Sequence, residues 1–102
     1  MELFTLQYVL AVAEYRKFSL AAQACYIGQP ALSQQIAKLE KELGVTLFVR
    51  NAHTVTLTEP GKEFVLRAKE ILQSVSALQA EMNRFAGLRK GKLNVGVITS
   101  LQ

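Results

Sequence analysis

Two glutamines and a serine, Gln29, Ser33 and Gln34, stand at the start of a predicted helix. A glutamine amide can pair bidentately with an adenine edge, and a serine hydroxyl can donate to or accept from several bases. Pro30 and Ala31 add small apolar surfaces of the kind that contacts a thymine methyl group. The free N–H groups of a helix start also favour a phosphate. The segment is suited to reading base edges, and the alternative is an ordinary exposed helix start.

Two short helices that meet at a tight turn are predicted to present this segment. The first runs from Ser19 to Tyr26, with Ser19 as its N-cap and Phe18 as the apolar half of a hydrophobic staple. Its alanine-rich face can pack closely on a neighbour, and Cys25 is interpreted as a small core residue there. The pattern is that of a helix-turn-helix, whose second helix enters the DNA major groove with its N-terminus first.

The second helix of the pair is predicted to extend to Leu43. Gly28 is its expected N-cap, and Pro30 is tolerated in the first turn because the N–H it lacks has no helical partner there. Gly44 is expected to end the helix in the left-handed conformation. One face is apolar at a spacing of 4-3-4 and carries Leu32, Ile36, Leu39 and Leu43.

A further helix is predicted ahead of the pair, from about Leu3 to Tyr15. Its apolar residues recur at intervals of three and four, which indicates a helix packed on two sides. Arg16 and Lys17 interrupt this pattern and are interpreted as the break before the next helix. The main apolar stripe consists of Leu3, Leu6, Leu10 and Ala13, widened by Phe4, Tyr8, Ala11 and Val12.

A hairpin is predicted after the helix pair. Two β-branched runs, Val45–Arg50 and Val55–Leu57, flank a short polar loop. A hairpin that follows a helix-turn-helix is a wing. Arg50 ends its first strand, and His53 and Thr54 lie at its tip.

The C-terminal part carries a second periodic signal. Thr58 is the expected N-cap of a helix that extends to about Gly87, with Glu59 and Pro60 in its first turn. At about 1.5 Å per residue this helix is too long for the preceding domain to bury its apolar seam, so a second copy of the chain is expected to cover it. The seam follows a 4-3-4-3-4-3 heptad spacing and consists of Phe64, Ala68, Ile71, Val75, Leu78, Met82 and Phe85.

The composition narrows the class of protein. The chain has 102 residues, a formal net charge of +4 and a pI near 9.5, and all its acids are glutamates. Such a basic domain suits nucleic acid, although the charge alone fits an anionic membrane surface equally well. No apolar run approaches the ~20 residues of a membrane span, and the N-terminus has no secretory pattern. A cytoplasmic protein is the expectation.

The chain has few of the residues that form catalytic or metal-binding sites. One histidine and one cysteine at distant positions give no metal-ligand set, and Cys25 has no partner for a disulfide or a redox pair. Without aspartate or a phosphate-binding glycine loop, no catalytic constellation is assembled and no cofactor is expected. An enzyme is therefore not expected. An interaction module that dimerises but has lost DNA binding is a further alternative, and the polar helix start and positive charge argue against it.

The motifs of the chain, taken in order, resemble the N-terminal DNA-binding part of the LysR-type transcriptional regulators. The resemblance covers essentially the whole chain. Near its end, Leu93–Val97 is similar to the first strand of the family's effector-binding domain. The motifs that carry the resemblance are Leu10–Glu14, Phe18–Ala22, Gln29–Ile36, Leu39–Phe48 and Leu57–Gly61.

The resemblance implies a mainly α fold, a winged helix-turn-helix with a two-stranded wing followed by a long dimerisation (linker) helix. Residues 1–58 would form the DNA-binding domain, with the helix-turn-helix at about 18–43 and the wing at about 45–57. Residues 59–88 would form the linker helix, and 89–102 a hinge and first strand of an absent effector-binding domain. The implied partners are double-stranded DNA with an inverted repeat and a second copy of the chain. A small-molecule coinducer and tetramer formation belong to the full-length protein.

The implied DNA contacts combine the helix start with the wing. In the family, the position of Arg50 often carries an arginine directed at the DNA backbone or minor groove, and the alternative is a surface salt bridge. Lys38 can meet a phosphate or belong to a solvated face, whereas Lys41 is expected to be solvated. His53 is expected to be a solvated loop residue close to a phosphate. The predicted contacts are Gln29, Pro30, Ala31, Ser33, Gln34, Lys38, Arg50, His53 and Thr54.

Three positions depart from the family's pattern. Gly28 stands where serine is frequent, so a capping or phosphate-binding hydroxyl is absent. Gln34 stands where arginine is common, which removes a bidentate guanine contact. Phe4 replaces a basic or polar residue of the first helix. The base preference is therefore expected to differ from the family's usual one.

Overall fold

The computed structural model of the chain describes residues 1–91, with side-chain surroundings through residue 87. Four helices and one hairpin confirm the predicted mainly α winged helix-turn-helix fold. The predicted strand at Leu93–Val97 lies outside the described residues. The elements are α1 Leu3–Tyr15, α2 Phe18–Ala24, α3 Gln29–Leu43, β1 Phe48–Arg50, β2 Val55–Leu57 and α4 Glu59–Gly91.

The chain divides into two compact units, Met1–Glu70 and Ile71–Gln102, and the division falls within α4. The domain boundary predicted from the sequence lies earlier, at the start of α4. The first unit contains the three-helix bundle, the wing and the beginning of α4. The described part of the second unit is the remainder of α4.

The core of the first unit is built where α1, α2 and α3 meet the wing. Val9, Val12, Leu32 and Ile36 are buried at its centre. The extent of α1 was predicted correctly, but its buried face is rotated from the predicted stripe: Leu3 is exposed, and Val9, absent from that stripe, is completely buried. Because α1 is apolar on nearly all sides, its periodicity did not determine which face packs inward.

The boundaries of α2 correct the sequence prediction. Ser19 is not the N-cap: the helix begins one residue earlier, at a buried Phe18, and Lys17 occupies the cap position without a side-chain hydrogen bond. The helix also ends two residues earlier than predicted, at Ala24. It cannot continue to Tyr26, because the backbone of that residue is left-handed and belongs to the turn that follows.

Backbone hydrogen bonds close the turn between α2 and α3. The Ile27 N–H donates to the Ala22 carbonyl over 3.1 Å, and the Tyr26 N–H donates to the Gln23 carbonyl over 3.2 Å. This pair of bonds is the Schellman pattern, which requires a left-handed residue just after the helix. Tyr26 takes that conformation with φ 58°, whereas Gly28 has an extended backbone.

The second helix of the pair, α3, forms as predicted. Gly28 is its N-cap, Pro30 lies in its first turn, and Gly44 ends it with a left-handed φ of 74°. Of the predicted apolar face, Leu32, Ile36 and Leu39 are buried. Leu43 is the exception: it lies in the last turn and is 39% exposed.

The wing is an antiparallel hairpin in which Phe48 pairs with Leu57 and Arg50 with Val55. Its first strand is shorter than predicted, and residues 46 and 47 direct backbone groups to Glu40 and Thr58 instead. The Glu40 carboxylate of α3 accepts hydrogen bonds from the N–H groups of Leu47, over 2.7 Å, and Phe48, over 3.2 Å. A side chain of α3 therefore fixes the point at which the wing begins.

The same segment also holds the start of α4. The Leu47 carbonyl accepts from the Thr58 N–H over 3.0 Å. The Thr58 hydroxyl donates to the Thr46 carbonyl over 2.6 Å and accepts from the Gly61 N–H over 3.0 Å, which confirms Thr58 as the predicted N-cap. Residues 46–48 are thus joined to α3 on one side and to α4 on the other. We call these residues, with Glu40, Thr58 and Gly61, the junction.

A bare backbone at Gly61 allows this close approach. A Cβ atom at this position would lie 2.1 Å from the Leu47 carbonyl oxygen and 3.0 Å from the Leu57 side chain. The first of these contacts is with backbone, which cannot turn aside as a side chain can. The identity of residue 61 therefore decides whether α4 can start against the wing.

The last helix, α4, has 33 residues and ends four residues later than the predicted Gly87. Its exposed face carries salt bridges between residues three or four apart. Glu59 pairs with Lys62, and Arg67 pairs with both Glu63 and Glu70. No helix among residues 1–91 is both long and apolar enough to span a bilayer.

The Gly61→Ala substitution should destabilise the domain. The added methyl group would overlap the Leu47 carbonyl, and overpacking of this kind costs about 1–3 kcal/mol or more. Urea unfolding followed by circular dichroism measures the change. Gly28→Ser is the matched control, since its Cβ meets only Pro30 at 3.8 Å and the change should stay within about 0.5 kcal/mol. Equal stabilities of the two variants would refute the close approach.

Removing the Glu40 carboxylate should also lower the free energy of unfolding. Glu40→Ala leaves two backbone N–H groups without their charged acceptor, at a cost of about 1.5–3 kcal/mol. Glu40→Gln keeps a neutral acceptor and should be less destabilised. The exposed neighbour Glu42→Ala should change stability by no more than about 0.5 kcal/mol. A Glu40→Ala variant as stable as Glu40→Gln or the wild type would contradict the role of the junction.

Candidate nucleic-acid interface

The start of α3 projects its polar groups to the surface. Gln29, Pro30, Ala31 and Gln34 are exposed, and Ser33 is half-buried. The N-cap residue makes no side-chain hydrogen bond, so the N–H groups of the first turn are not occupied by a capping side chain. The predicted base-reading residues therefore lie together at an uncapped helix start.

The opposite face of α3 fixes the orientation of these groups. Leu32 and Ile36 are almost completely buried against the other helices. Along the exposed side, residues four apart form rows, and Pro30, Gln34 and Lys38 occupy one such row. Lys38 thus continues the polar surface beyond the first turn, and its side chain is exposed.

The wing presents a second group of predicted contacts. Arg50, His53 and Thr54 are exposed around a tip closed by a hydrogen bond from the Asn51 N–H to the Thr54 carbonyl over 2.8 Å. They are contributed by the end of β1 and the loop that follows it. The structure therefore places these three predicted residues together, on an element separate from α3.

The side chain of Arg50 is held by an aromatic stack. Its guanidinium carbon lies 3.9 Å from the centre of the Phe18 ring, at the start of α2. The Phe18 ring in turn packs edge-on against Phe48, with centroids 6.4 Å apart. A guanidinium over an aromatic face is attracted by the ring quadrupole and keeps its N–H donors available at the edges. Phe18 is thus a positioning residue for Arg50, a role that the sequence reasoning missed.

The loop between α1 and α2 is tied to the wing. Arg16 ends α1 in the left-handed conformation, with φ 58°, and its N–H donates to the Val12 carbonyl over 2.8 Å. Its own carbonyl accepts from the Val55 N–H over 3.0 Å. From the sequence, Arg16 and Lys17 were expected only to break the helix. Their two adjacent positive charges, directly before the helix-turn-helix, were the signal in the sequence for a possible anion contact.

An open cleft of about 340 Å³ lies where this loop, the wing and the start of α3 converge. It brings together Gln29, Arg50, His53 and Thr54 of the predicted contacts and adds Arg16 and Lys17. The remaining predicted contacts do not line this cleft. The full lining is Arg16, Lys17, Phe18, Ser19, Gln29, Arg50, Asn51, Ala52, His53, Thr54 and Val55.

In the described part of the chain, salt bridges occur on α4 but not on the helix-turn-helix or the wing. Every salt bridge in the described part of the chain lies on α4 and involves Lys62, Arg67 or Arg84. Among residues 1–91, Arg16, Lys17 and Arg50 have no carboxylate within salt-bridge distance. Their charge remains available to an anion, and the alternative of a surface salt bridge at Arg50 is not realised within these residues.

The predicted seam on α4 has two environments. In the first unit, Phe64 packs against the core, and Ala68 is only 1% exposed, so Ala68 offers a partner almost no surface. In the second unit the seam is more open. Val75 is half-buried, and the exposed members are Ile71 at 45%, Leu78 at 60%, and Met82 and Phe85 at 51% each.

Cys25 follows α2 as its C-cap and is half-buried, so it is more exposed than the core position expected from the sequence. Burial raises the pKa of its thiol above the ordinary value, because desolvation disfavours the thiolate. Within residues 1–91, no cluster of three or more His, Cys, Asp or Glu side chains is arranged to hold a metal ion.

A three-helix bundle with a two-stranded wing, an exposed polar start on its third helix and unpaired basic groups beside it defines the winged helix-turn-helix class. The sequence profile of the family described as "Bacterial regulatory helix-turn-helix protein, lysR family" matches residues 3–62, more than half of the chain. The chain therefore belongs to the LysR family of bacterial regulatory helix-turn-helix proteins.

Two relatives illustrate this membership. The chain is 40% identical over 97 residues to the uncharacterized HTH-type transcriptional regulator YcgK of Bacillus subtilis (strain 168), covering 95% of this chain and 30% of that protein. It is 38% identical over 101 residues to the DNA-binding transcriptional dual regulator OxyR of Escherichia coli (strain K12), covering 99% of this chain and 33% of OxyR. The chain thus spans about a third of the length of these relatives.

Two solved structures are similar in fold. The BenM DBD in complex with catB site 1 DNA superposes with a TM-score of 0.81 at 40% identity, covering 84% of this chain and 96% of that one. The CbnR DBD in complex with DNA gives a TM-score of 0.75 at 34% identity, covering 84% and 98% of the two chains.

The raised pKa of Cys25 predicts slow alkylation near neutral pH. The thiolate is the reactive form, so the folded chain should react with iodoacetamide more slowly than the urea-unfolded chain at the same pH. As the pH rises, the folded chain should reach its maximal rate at a higher pH than the unfolded one. Mass spectrometry of quenched samples measures both rates, and coincident pH profiles would exclude the effect of burial.

Proposed function

We propose that this chain is the DNA-binding and dimerising part of a bacterial transcription regulator, and that it binds an inverted-repeat operator as a homodimer. The observation that carries the proposal is the exposed polar start of α3, held in place by a buried opposite face and flanked by unpaired basic groups. Similarity to BenM and CbnR structures that contain DNA supports it.

The roles of the contacts follow from their chemistry. At the start of α3, Gln29, Ser33 and Gln34 would read base edges in the major groove, while Pro30 and Ala31 contact thymine methyl groups. A glutamine at position 34 would favour adenine over guanine at its base pair.

The remaining proposed contacts are with the DNA backbone. Arg50, oriented by Phe18, would reach the backbone or minor groove from the wing, with His53 and Thr54 beside it. Lys38, one turn beyond the base-reading residues, would meet a phosphate. Backbone contacts fix the register of the protein on the duplex, and base contacts supply sequence preference.

The exposed seam of α4 would form the homodimer. Ile71, Leu78, Met82 and Phe85 expose apolar surface at heptad spacing, which two copies of the same helix can bury against each other. Phe64 and Ala68 would contribute mainly within their own chain, since that chain already covers them. A two-fold dimer sets the separation of the two half-sites.

The proposal also covers the domain layout of the chain and the regulation of the whole protein. Residues 1–58 would bind DNA, 59–88 would link and dimerise, and 89–102 would lead into an effector-binding domain. That domain would bind a small-molecule coinducer and allow tetramers. The relatives are named as transcription regulators, so no catalytic activity is proposed. A regulator that binds the chromosome belongs in the bacterial cytoplasm.

Selection from random duplexes tests the proposal directly. The chain is incubated with a pool of random DNA, and bound duplexes are sequenced over several rounds. Enrichment of an inverted repeat would support a dimeric reader and would supply the operator. Absence of any enriched sequence, with only salt-sensitive background binding, would contradict sequence-specific recognition. Absence of duplex binding altogether would favour an interaction module that has lost its DNA function.

Gln29→Ala and Arg50→Ala should separate base reading from backbone anchoring. Loss of the Gln29 amide should lower the preference for the operator over random DNA by about 1–3 kcal/mol. Loss of Arg50 should weaken binding to both duplexes by a similar factor and reduce the salt dependence. Fluorescence anisotropy at several salt concentrations measures both quantities. Gln73→Ala, an exposed amide on α4, is the control. Equal reductions of preference in the two variants would contradict the division.

Val75→Asp and Leu78→Asp should each break the dimer. A charge buried in an apolar seam must be desolvated without a partner, which is costly. Sedimentation should show a monomer and operator affinity should fall, while binding to one half-site is retained. Gln79→Asp introduces the same charge at an exposed polar position of the same helix and should remain dimeric. A dimer that survives both seam substitutions would refute the assignment of the seam.

A further inference from the structure

We infer that Arg16 and Lys17 form a phosphate clamp with Arg50 and His53, which grips one backbone phosphate of the duplex in the cleft between the α1–α2 loop and the wing. The inference rests on the proposed function, because it assumes that duplex DNA is the partner. It assigns a role to the side chains of Arg16, whose backbone ends α1 and is tied to the wing, and Lys17, which occupies the cap position of α2.

The shape of the cleft provides two sides for such a clamp. The α1–α2 loop supplies Arg16 and Lys17, and the wing supplies Arg50 and His53. A backbone hydrogen bond from the Val55 N–H to the Arg16 carbonyl holds the two sides together over 3.0 Å. The basic side chains therefore extend from a backbone that is already fixed, and little reorganisation is needed when a phosphate enters.

The charge of the cleft selects an anion. Its described lining contains three permanent positive charges, on Arg16, Lys17 and Arg50, and no carboxylate. The salt bridges of the described chain are confined to α4, so none of them neutralises these groups. The Ser19 hydroxyl adds a neutral donor to the same wall. Donors of this kind, brought together without an acid, match the oxygens of a phosphate.

The position of the cleft specifies which anion. Gln29, the first residue of the base-reading helix, is also part of its lining. A phosphate in the cleft would thus lie between the base that Gln29 reads and the DNA segment that the wing contacts. Fixing that phosphate would set how far the start of α3 enters the groove, which makes Arg16 and Lys17 register-determining contacts.

The first test is the salt dependence of binding. In the Arg16→Gln/Lys17→Gln double variant only Arg50 of the three permanent charges remains at the phosphate, so the slope of log K against log salt should become shallower, by at most about 0.9 for the one phosphate of each protomer. Affinity should fall on both operator and random duplexes, because a phosphate is present in each. The matched control is Lys41→Gln/Lys69→Gln, which removes the same charge at exposed positions outside the cleft lining.

The second test locates the phosphate. Each backbone phosphate of the selected operator is replaced in turn by a neutral methylphosphonate. One position per half-site should weaken binding by the wild-type chain and weaken binding by the double variant by a smaller factor. The charge-conserving Arg16→Lys/Lys17→Arg variant should recover both the slope and the sensitivity at that position.

A third variant and circular dichroism exclude a folding defect. Arg16→Asn/Lys17→Gln removes the same two charges with a residue at position 16 that tolerates the left-handed backbone, and it should match Arg16→Gln/Lys17→Gln in DNA binding while retaining the helix content of the wild type. A double variant whose slope and interference pattern equal those of Lys41→Gln/Lys69→Gln would overturn the clamp while leaving the proposed function intact. A wild-type chain that binds no duplex would overturn both.

Discussion

The Glu40 carboxylate is the contact on which the arrangement of α3, the wing and the start of α4 depends. It accepts hydrogen bonds from two successive backbone N–H groups, those of Leu47 and Phe48, just where the chain leaves α3 and enters the wing. The carbonyl of Leu47 is used at the same time by the N-cap of α4, and Gly61 lets that helix approach it. One residue of irregular backbone thus connects three elements. Since charge-assisted hydrogen bonds have a defined direction, this contact also fixes the backbone of Leu47 and Phe48, where the wing begins.

A fixed wing matters because the proposed surface for DNA is assembled from separate elements. The start of α3 is oriented by Leu32 and Ile36, and Arg50 is oriented by Phe18, a residue of α2. The Arg16 carbonyl joins the α1–α2 loop to the second strand of the wing. Each of these outward-facing polar groups therefore has a packed or hydrogen-bonded support behind it. Such supports reduce the ordering that binding must otherwise accomplish, which is where preorganised sites gain affinity.

The sequence predicted those features that depend on residues close together in the chain, such as helix caps and the apolar face of a helix. Gly44 at the end of α3, Thr58 at the start of α4 and the apolar spacing of α3 all gave elements that the structure confirms. Contacts between residues far apart in the sequence left no pattern from which they could be predicted. The contact of Glu40 was not predicted, because its backbone donors become neighbours only after the chain has turned. Arg16 was treated as a break for the same reason. The buried face of α1 was ambiguous because both sides of that helix are apolar.

The distribution of charge implies that the proposed binding through α4 and the proposed binding to DNA differ in their dependence on salt. On the described part of α4, Lys62, Arg67 and Arg84 pair with glutamates one turn away, as with Arg67 between Glu63 and Glu70, so these three charges are largely balanced. The basic groups around the cleft have no such partners among the described residues. Binding through α4 would then be driven by apolar burial and should respond weakly to salt, whereas binding to a phosphate backbone releases counterions and responds strongly. The salt dependence of operator binding therefore reports mainly on the helix-turn-helix and wing, even when two copies bind together.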